Sequence, residues 1–229
     1  MPLKPTVEWG PDDFLGGVLD ARYNWTTAGT GVVDLAGDSH ERGGAVRLHT
    51  TGAGFGAARL RLGREARENN GLSILNWHAN RAVKLEARVK WNSQNDIQST
   101  VGFIGENDPD IGLAMYRTPG AASGHPNPNT WAFQSFNVPV SPPGVINASM
   151  GGWQHTPGQY HFIEIETGWT PIKFARLKID GIERAYVYGD LVPEKGLGLE
   201  LQIWNEEISP GVWSQVAIWC DLVYLVQQR

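Results

Sequence analysis

The hydrophobic pattern of residues 159–187 predicts a ladder of antiparallel β-strands. Two runs, residues 159–166 and 173–179, alternate apolar with polar side chains, which places the apolar groups on one face of a sheet. An Asp180-Gly181 pair separates the second run from a third one over residues 182–187. Because type I′ turns need positive φ at both central residues, Asp-Gly between two such runs indicates a tight β-hairpin.

The same period of two recurs along most of the chain. In residues 82–91 we expect the apolar positions to face the core and the charged positions to face solvent. We expect residues 45–50 and 55–62 to pair as a hairpin through a turn at 51–54. Further strands are predicted over residues 73–77, 99–106, 112–117, 130–137, 198–204 and 213–226.

The remaining segments complete one predicted domain over residues 1–229. Residues 1–42 show no regular pattern and are expected to pack on the domain as an irregular segment. Residues 118–128 and 138–158 are rich in Pro, Gly, Ser and Asn, which predicts loops. With many strands and no long helical pattern, the chain is predicted to be an all-β, two-sheet antiparallel sandwich.

Composition excludes several classes of protein. The net charge of −5 and the pI near 5.7 argue against nucleic-acid binding through a basic surface. Cys220 is the chain's one cysteine, so no internal disulfide can form, and we expect a buried, inert thiol. Residues 1–6 lack the apolar core of a signal peptide, and no run reaches the roughly 18 apolar residues of a membrane span. We therefore expect a cytoplasmic origin and no membrane insertion.

The order of these pieces resembles the concanavalin A-like lectin/glucanase superfamily in its laminin-G-like form. Four features carry the resemblance: the strand pair in residues 43–62, the run 85–105 that ends in Gly-Phe-Ile-Gly, the Asp-Gly hairpin 174–187, and the closing strand 220–225. Trp153, shortly before the charged ladder, is a further match.

This resemblance implies a jelly-roll fold and a choice of functions. Modules of this type without a signal peptide are frequent in phage and viral virion proteins, such as head decorations and tail fibres. The resemblance therefore implies a non-enzymatic structural or adhesive module, located in a virion, that binds other protein subunits, copies of itself or a surface glycan. The alternative is a carbohydrate-binding module, glycoside hydrolase or lyase of the same superfamily.

The ladder also contains the one candidate for catalysis. Glu164 and Glu166 share a face of the strand, as the two carboxyls of a retaining glycosidase must. The superfamily's glucanases place Glu-x-Asp-x-Glu or Glu-x-Asp-x-x-Glu on one strand, and the central Asp and the third acid are missing here. We therefore favour a solvated charged face, with both glutamates paired across the ladder to Arg176 and Lys178.

Tryptophans beside polar residues are the candidates for glycan binding. Sugars stack on aromatic rings and hydrogen-bond to neighbouring polar groups, although tryptophans also cap the open ends of sandwich cores. The candidates are Trp153, His155, Trp169, Trp204, Asn205 and Trp213, and Trp131 is a further tryptophan of this kind at a strand end.

Calcium is the one cofactor that the sequence suggests, and no organic cofactor motif is present. Glu106, Asn107, Asp108 and Asp110 supply closely spaced oxygen ligands of the kind Ca²⁺ prefers. The same residue types also make ordinary tight turns. The histidines share no short spacing, so a zinc site is not expected.

Overall fold

The computed structural model describes residues 6–12, 25–35, 44–62, 77–78, 82–94, 97–105, 111–118, 129–137, 144–169, 172–189, 192 and 196–228. These residues form strands and connecting turns. The strands, in chain order, are β1 (Thr6–Asp12), β2 (Trp25–Ala28), β3 (Val32–Leu35), β4 (Val46–His49), β5 (Ala57–Leu62), β6 (Trp77–His78), β7 (Val83–Trp91), β8 (Ile97–Gly105), β9 (Ile111–Arg117), β10 (Trp131–Asn137), β11 (Gly144–Ser149), β12 (His161–Gly168), β13 (Phe174–Ile179), β14 (Ile182–Tyr188), β15 (Gly196–Asn205), β16 (Glu207–Ser209), β17 (Val212–Trp213) and β18 (Ala217–Gln228).

Two large antiparallel sheets make the sandwich. Sheet A runs in the order β14-β13-β12-β7-β18-β4-β3, with β1 paired to β18. Sheet B runs in the order β11-β10-β9-β8-β15-β5-β2, with β6 paired to β15. The short strands β16 and β17 form a separate pair. The predicted all-β, two-sheet antiparallel sandwich is confirmed, since non-sequential neighbours such as β7 and β18 give the crossed connections of a jelly roll.

The core lies between the two sheets and follows the predicted alternation. Leu85, Ala87 and Val89 of β7 are fully buried, while Lys84 and Glu86 lie on the outer face. The inward-facing residues of β12, β13 and β15 join the same apolar cluster. Burial of so much apolar surface is the dominant favourable term in forming the sandwich.

The Asp180-Gly181 hairpin is also confirmed. Both residues have positive φ, 53° for Asp180 and 78° for Gly181, as a type I′ turn requires. The Asp180 carboxylate accepts hydrogen bonds from the backbone N–H of Phe162 (2.8 Å) and from Nδ1 of His161 (2.8 Å). The turn thus ties the β13–β14 hairpin to the start of β12.

The predicted hairpin of residues 45–50 and 55–62 is wrong, because β4 belongs to sheet A and β5 to sheet B. The connection turns a corner between the sheets, and Asn205 holds it there. The Asn205 side chain donates to the Gly54 carbonyl (2.7 Å) and accepts from the Gly56 N–H (2.6 Å). Alternation alone cannot distinguish a corner from a hairpin, because both join two regular strands.

Two predicted irregular regions contain strands. Residues 1–42 contribute β1, β2 and β3, so they are not simply an irregular segment. The predicted loop 138–158 contains β11, an edge strand that pairs with residues 132–137 of β10. Gly144, Asn147 and Ser149 weaken the apolar alternation of this short strand, so its pattern did not stand out in the sequence.

Two further expectations concern burial and the membrane. Cys220 is buried in β18, as predicted. In the part of the chain that the structure describes, no helix is long and apolar enough to cross a membrane.

Candidate functional site

A surface pocket of about 360 Å³ opens at the outer face of sheet B. It lies where β9, β10 and β11 run side by side. Tyr116, Ala132 and Ser149 are register partners across these three strands, and Gln134 and Asn147 form a second row beside them. The complete lining of this "Trp153 pocket" is Tyr116, Thr118, Thr130, Trp131, Ala132, Gln134, Asn147, Ser149, Gly152, Trp153 and Gln154.

Internal hydrogen bonds fix the orientation of the amides in the pocket. The Gln134 amide donates to the Asn147 side-chain oxygen (2.7 Å), and the Gln154 amide donates to the backbone carbonyl of Asn129 (3.0 Å). Among the described residues, no partner is recorded for Oε1 of either glutamine or for Nδ2 of Asn147, so these atoms remain as two acceptors and a donor. Ser149 accepts a hydrogen bond from the Gly151 N–H (3.2 Å), which leaves its hydroxyl proton for a ligand.

Trp153 forms one wall of the pocket and is supported from behind. Its ring packs against Trp131 at a centroid distance of 5.8 Å and meets the edge of His161 at 5.2 Å. Gly151 and Gly152 both have positive φ, 64° and 73°, so the chain turns sharply to bring Trp153 back over the end of the sheet. The indole is half-buried and presents its remaining surface to the pocket.

Behind this wall, His155 is a buried structural residue. Its Nε2 donates to the Ser93 carbonyl (2.6 Å), and its Nδ1 accepts from the Trp131 indole N–H (3.2 Å). Desolvation lowers the pKa of His155 to about 4, so the ring is neutral at physiological pH. The side chain has no exposed surface, and the expectation that it contacts a glycan directly is not met by this geometry.

Tyr116 supplies a protonated hydroxyl at the pocket floor. Burial and, to a smaller extent, the nearby Glu206 carboxylate raise its pKa above the ordinary value. A tyrosine in this state donates a hydrogen bond rather than acting as a base.

The other predicted glycan-binding residues lie outside the pocket. Trp169 follows β12 in sheet A, is 40% exposed and lies under the Lys173 ammonium group. Trp204 lies on β15, and Trp213 packs edge-on against Phe55 at 5.9 Å. Asn205 is buried, and both ends of its amide hold the sheet-to-sheet corner.

The structure therefore gathers two of the predicted residues, Trp131 and Trp153, into the pocket. It adds Tyr116, Gln134 and Asn147, which the sequence did not single out. The available signal was the alternation of β10, where Gln134 lies out of phase with the buried Phe133. That signal shows the face of each residue but not which strands are neighbours.

The two candidate catalytic glutamates lie on the outer face of sheet A. Glu164 accepts hydrogen bonds from Lys178 (2.6 Å) and Lys84 (2.8 Å), and Glu166 accepts from Arg176 (2.6 Å). Cross-strand pairing of both glutamates is confirmed.

These ion pairs also determine the protonation state of Glu164. Burial alone would raise its pKa, but the ammonium groups of Lys178 and Lys84 outweigh burial and hold the pKa below its usual value. A glycosidase acid needs a raised pKa instead, so this carboxylate is unsuited to protonate a leaving group.

The calcium prediction falls outside the described residues. Glu106, Asn107, Asp108 and Asp110 all belong to the segment that the structure does not describe. Among the residues that are described, no cluster of three or more His, Cys, Asp or Glu side chains is placed to hold a metal ion.

Solved structures of known proteins share this architecture. The carbohydrate recognition domain of Emp47p superimposes with a TM-score of 0.62 at 12% identity, covering 96% of this chain and 95% of that one. An endo-1,3-β-glucanase from Streptomyces sioyaensis gives 0.60 at 11% identity, with all of both chains covered. A carbohydrate esterase from Shiga toxin-encoding bacteriophage phi24B gives 0.50 at 12% identity, with 90% of each chain covered.

Sequence comparison adds no nearer relative. No protein-family model matches the chain, and no curated protein matches it in sequence. At identities of 11–12%, structural likeness establishes architecture and not activity. The three proteins include a binding domain and two enzymes, so the fold alone does not separate these functions. The chain has the jelly-roll fold of the concanavalin A-like lectins and glucanases.

Proposed function

We propose that this protein is a non-catalytic glycan-binding module and that the Trp153 pocket is its binding site. The observation that carries the proposal is the lining of the pocket. It combines a half-buried indole and a phenol with three polar groups that can face a ligand: Oε1 of Gln134, Nδ2 of Asn147 and the Ser149 hydroxyl. An aromatic face with a few oriented polar groups is what a sugar ring requires, since one side of the ring is apolar and its rim carries hydroxyls.

The same lining supports binding over hydrolysis. Glycoside hydrolysis requires two carboxyl groups, and none of the described residues that line the pocket has one. Glu164 and Glu166 lie on the other sheet and are neutralised by ion pairs. The fold's occurrence in a glucanase and a phage esterase keeps an enzyme as the alternative.

A glycan array with matched tryptophan variants tests the proposal. Trp153→Ala removes the stacking surface and should weaken binding by about fivefold or more, because an aromatic platform contributes about 1–3 kcal/mol. Trp169→Ala removes a more exposed indole on the other sheet and should bind as the wild type does. Equal losses in both variants, or none in Trp153→Ala, would refute the assignment of the pocket.

A hydrolysis screen separates binding from catalysis. Polysaccharides that score on the array should be incubated with the wild type and with Glu164→Gln and Glu166→Gln. We expect no release of sugar from any of the three proteins. Release that either substitution abolishes would establish the enzyme and overturn the proposal.

We further propose that the module acts within a larger assembly, such as a virion, where it also contacts protein subunits. Two observations support this. The described surface exposes large apolar side chains, including Phe55 (62%) and Tyr188 (68%), which are typical of protein contacts. A bacteriophage protein also uses the fold. Capsid or tail genes beside this gene would agree with the proposal, whereas polysaccharide-utilisation genes would contradict it.

A further inference from the structure

The Trp153 pocket is built from a stretch of sequence without charge. Residues 118–163 contain no Asp, Glu, Lys or Arg, although such residues make up 19% of the chain. All the lining residues except Tyr116 belong to this stretch. At the average frequency of the chain, about one position in five would be charged, so the coincidence of the pocket with the uncharged stretch calls for a physical reason.

Arg117 follows a lining residue in sequence, and Arg59 lies on the same sheet as the pocket. Neither side chain lines the pocket, so neither offers a ligand a positive charge there. Arg117 follows Tyr116 but points into the core, where it is fully buried and donates to the carbonyls of Ile97 (2.7 Å) and Gln94. Arg59 lies on β5, separated from β9 by β15 and β8. Three strand spacings separate the backbones of β5 and β9 by about 14 Å, and Arg59 does not line the pocket.

Two buried charges of opposite sign lie near the lining. The Arg117 guanidinium is 6.0 Å from the centroid of the Trp131 ring. Glu206 follows β15 and is close enough to Tyr116 to help raise the pKa of its hydroxyl. Neither charge is part of the lining, so the pocket wall offers an acidic sugar no cation to pair with.

The hydrogen-bonding groups of the pocket lead to the same conclusion. Gln134 and Gln154 each present an oxygen that only accepts, while Asn147, Ser149 and Tyr116 present donors. A sugar hydroxyl both donates and accepts, so it can satisfy either kind of group. A carboxylate or sulfate only accepts, so it would face the two glutamine oxygens without a cation to compensate.

We propose that the Trp153 pocket selects uncharged glycans and discriminates against sugars that carry a carboxylate or sulfate group. This selectivity rests on the proposed glycan-binding function and narrows its ligand class. It assigns the uncharged stretch a role, because charges of either sign at the rim would trap or repel acidic glycans. The pocket discriminates in two ways: a neutral sugar satisfies its polar groups, and an acidic group would leave the two glutamine oxygens without a donor.

Matched glycan pairs test the proposal directly. An array that prints sialylated glycans beside their desialylated forms, together with a neutral β-glucan and polyglucuronate, presents each sugar with and without its charge. We expect every bound pair to favour the neutral member by about tenfold or more. Binding of the neutral members should also be insensitive to salt, because no ion pair forms.

A charge-insertion variant provides the control. Gln134→Lys places a cation in the pocket and should raise the affinity for the acidic members relative to their neutral partners. Gln159→Lys adds the same charge at an exposed position outside the lining and should leave the preference unchanged.

The outcomes separate the two proposals. If the wild type binds acidic members as well as or better than neutral ones, and Trp153→Ala abolishes that binding, the selectivity is refuted while the binding site stands. If no glycan of either kind binds, the proposed function fails and the selectivity fails with it.

Discussion

The buried histidine behind the pocket makes the stability of this protein depend on pH in a way that can be calculated. The pKa of His155 falls from 6.5 to about 4 in the folded chain because the ring is desolvated. In the unfolded chain the ring is solvated and titrates near its ordinary value. Between these two values the unfolded state binds a proton that the folded state does not, so stability decreases as the pH falls.

The size of this effect follows from the same two values. Each pKa unit is worth about 1.4 kcal/mol, so the gap between 6.5 and about 4 amounts to about 3 kcal/mol. The full contribution is present above about pH 6.5 and is lost progressively by about pH 4. A typical domain has about 5–15 kcal/mol of stability, so this single ring accounts for a measurable share.

Urea unfolding of the wild type and His155→Gln over a range of pH isolates the contribution. Glutamine can donate to the Ser93 carbonyl and accept from Trp131, but it does not titrate. The variant should be less stable at pH 7, and the difference should shrink by about 3 kcal/mol by about pH 4. His49→Gln makes the same change at a partly exposed ring. The dependence of stability on pH that His155 produces should remain in this variant.

A difference between wild type and His155→Gln that stays constant over this pH range would refute the reasoning. Nitrogen chemical shifts of the ring offer a second check. They should show the neutral tautomer with the proton on Nε2, because that nitrogen donates to a carbonyl while Nδ1 accepts from Trp131.

Three further predictions concern packing, the hairpin and the charged ladder. Gly102→Ala should lower the free energy of unfolding in urea by about 1–3 kcal/mol more than Gly54→Ala does. Both glycines have a φ of 155°, but only a Cβ at Gly102 would collide with the backbone of β9, at 2.6 Å. Equal losses in the two variants would contradict this. Asp180→Ala should lower stability by about 1–3 kcal/mol, because the Phe162 N–H loses its acceptor. Asp180→Asn keeps an acceptor for this N–H and should lower stability less. The reverse order would contradict the role of Asp180 in holding the hairpin to β12. Glu164→Gln should lower the free energy of unfolding by about 1 kcal/mol or less at neutral pH, because the ion pairs of Glu164 are partly solvated. Glycan binding should stay unchanged, because these ion pairs lie on the other sheet. A loss of binding on the array would contradict this.

The sequence was sufficient for the features that depend on local periodicity. Alternating side chains in β12 and β13 predicted their faces, since a one-residue slip would bury the charges, and Asp180-Gly181 predicted the tight turn between β13 and β14. The resemblance to concanavalin A-like proteins likewise rested on the order of strands, which the structure confirms at the level of the fold.

The candidate site could not be predicted in this way, because it depends on which strands are neighbours in the sheet. Tyr116, Gln134 and Asn147 lie on three different strands. In the sequence, nothing distinguishes any of them from other polar residues. The strand that contributes Asn147 was predicted as a loop, so its neighbourhood could not be foreseen. His155 was misjudged for a related reason: a polar residue beside tryptophans suggests a ligand contact until the partners that bury it are known.

The buried thiol of Cys220 provides a natural reporter of how the two sheets open. It is the chain's only cysteine and lies on β18, which pairs with β1, β4 and β7 within sheet A. A thiol reagent can modify it only after that strand has separated from its neighbours, so the labelling rate in native buffer measures a local opening equilibrium. A glycan bound to sheet B slows the labelling only if both sheets open as one cooperative unit. One unmodified side chain thus makes the cooperativity of the whole sandwich measurable without any inserted probe.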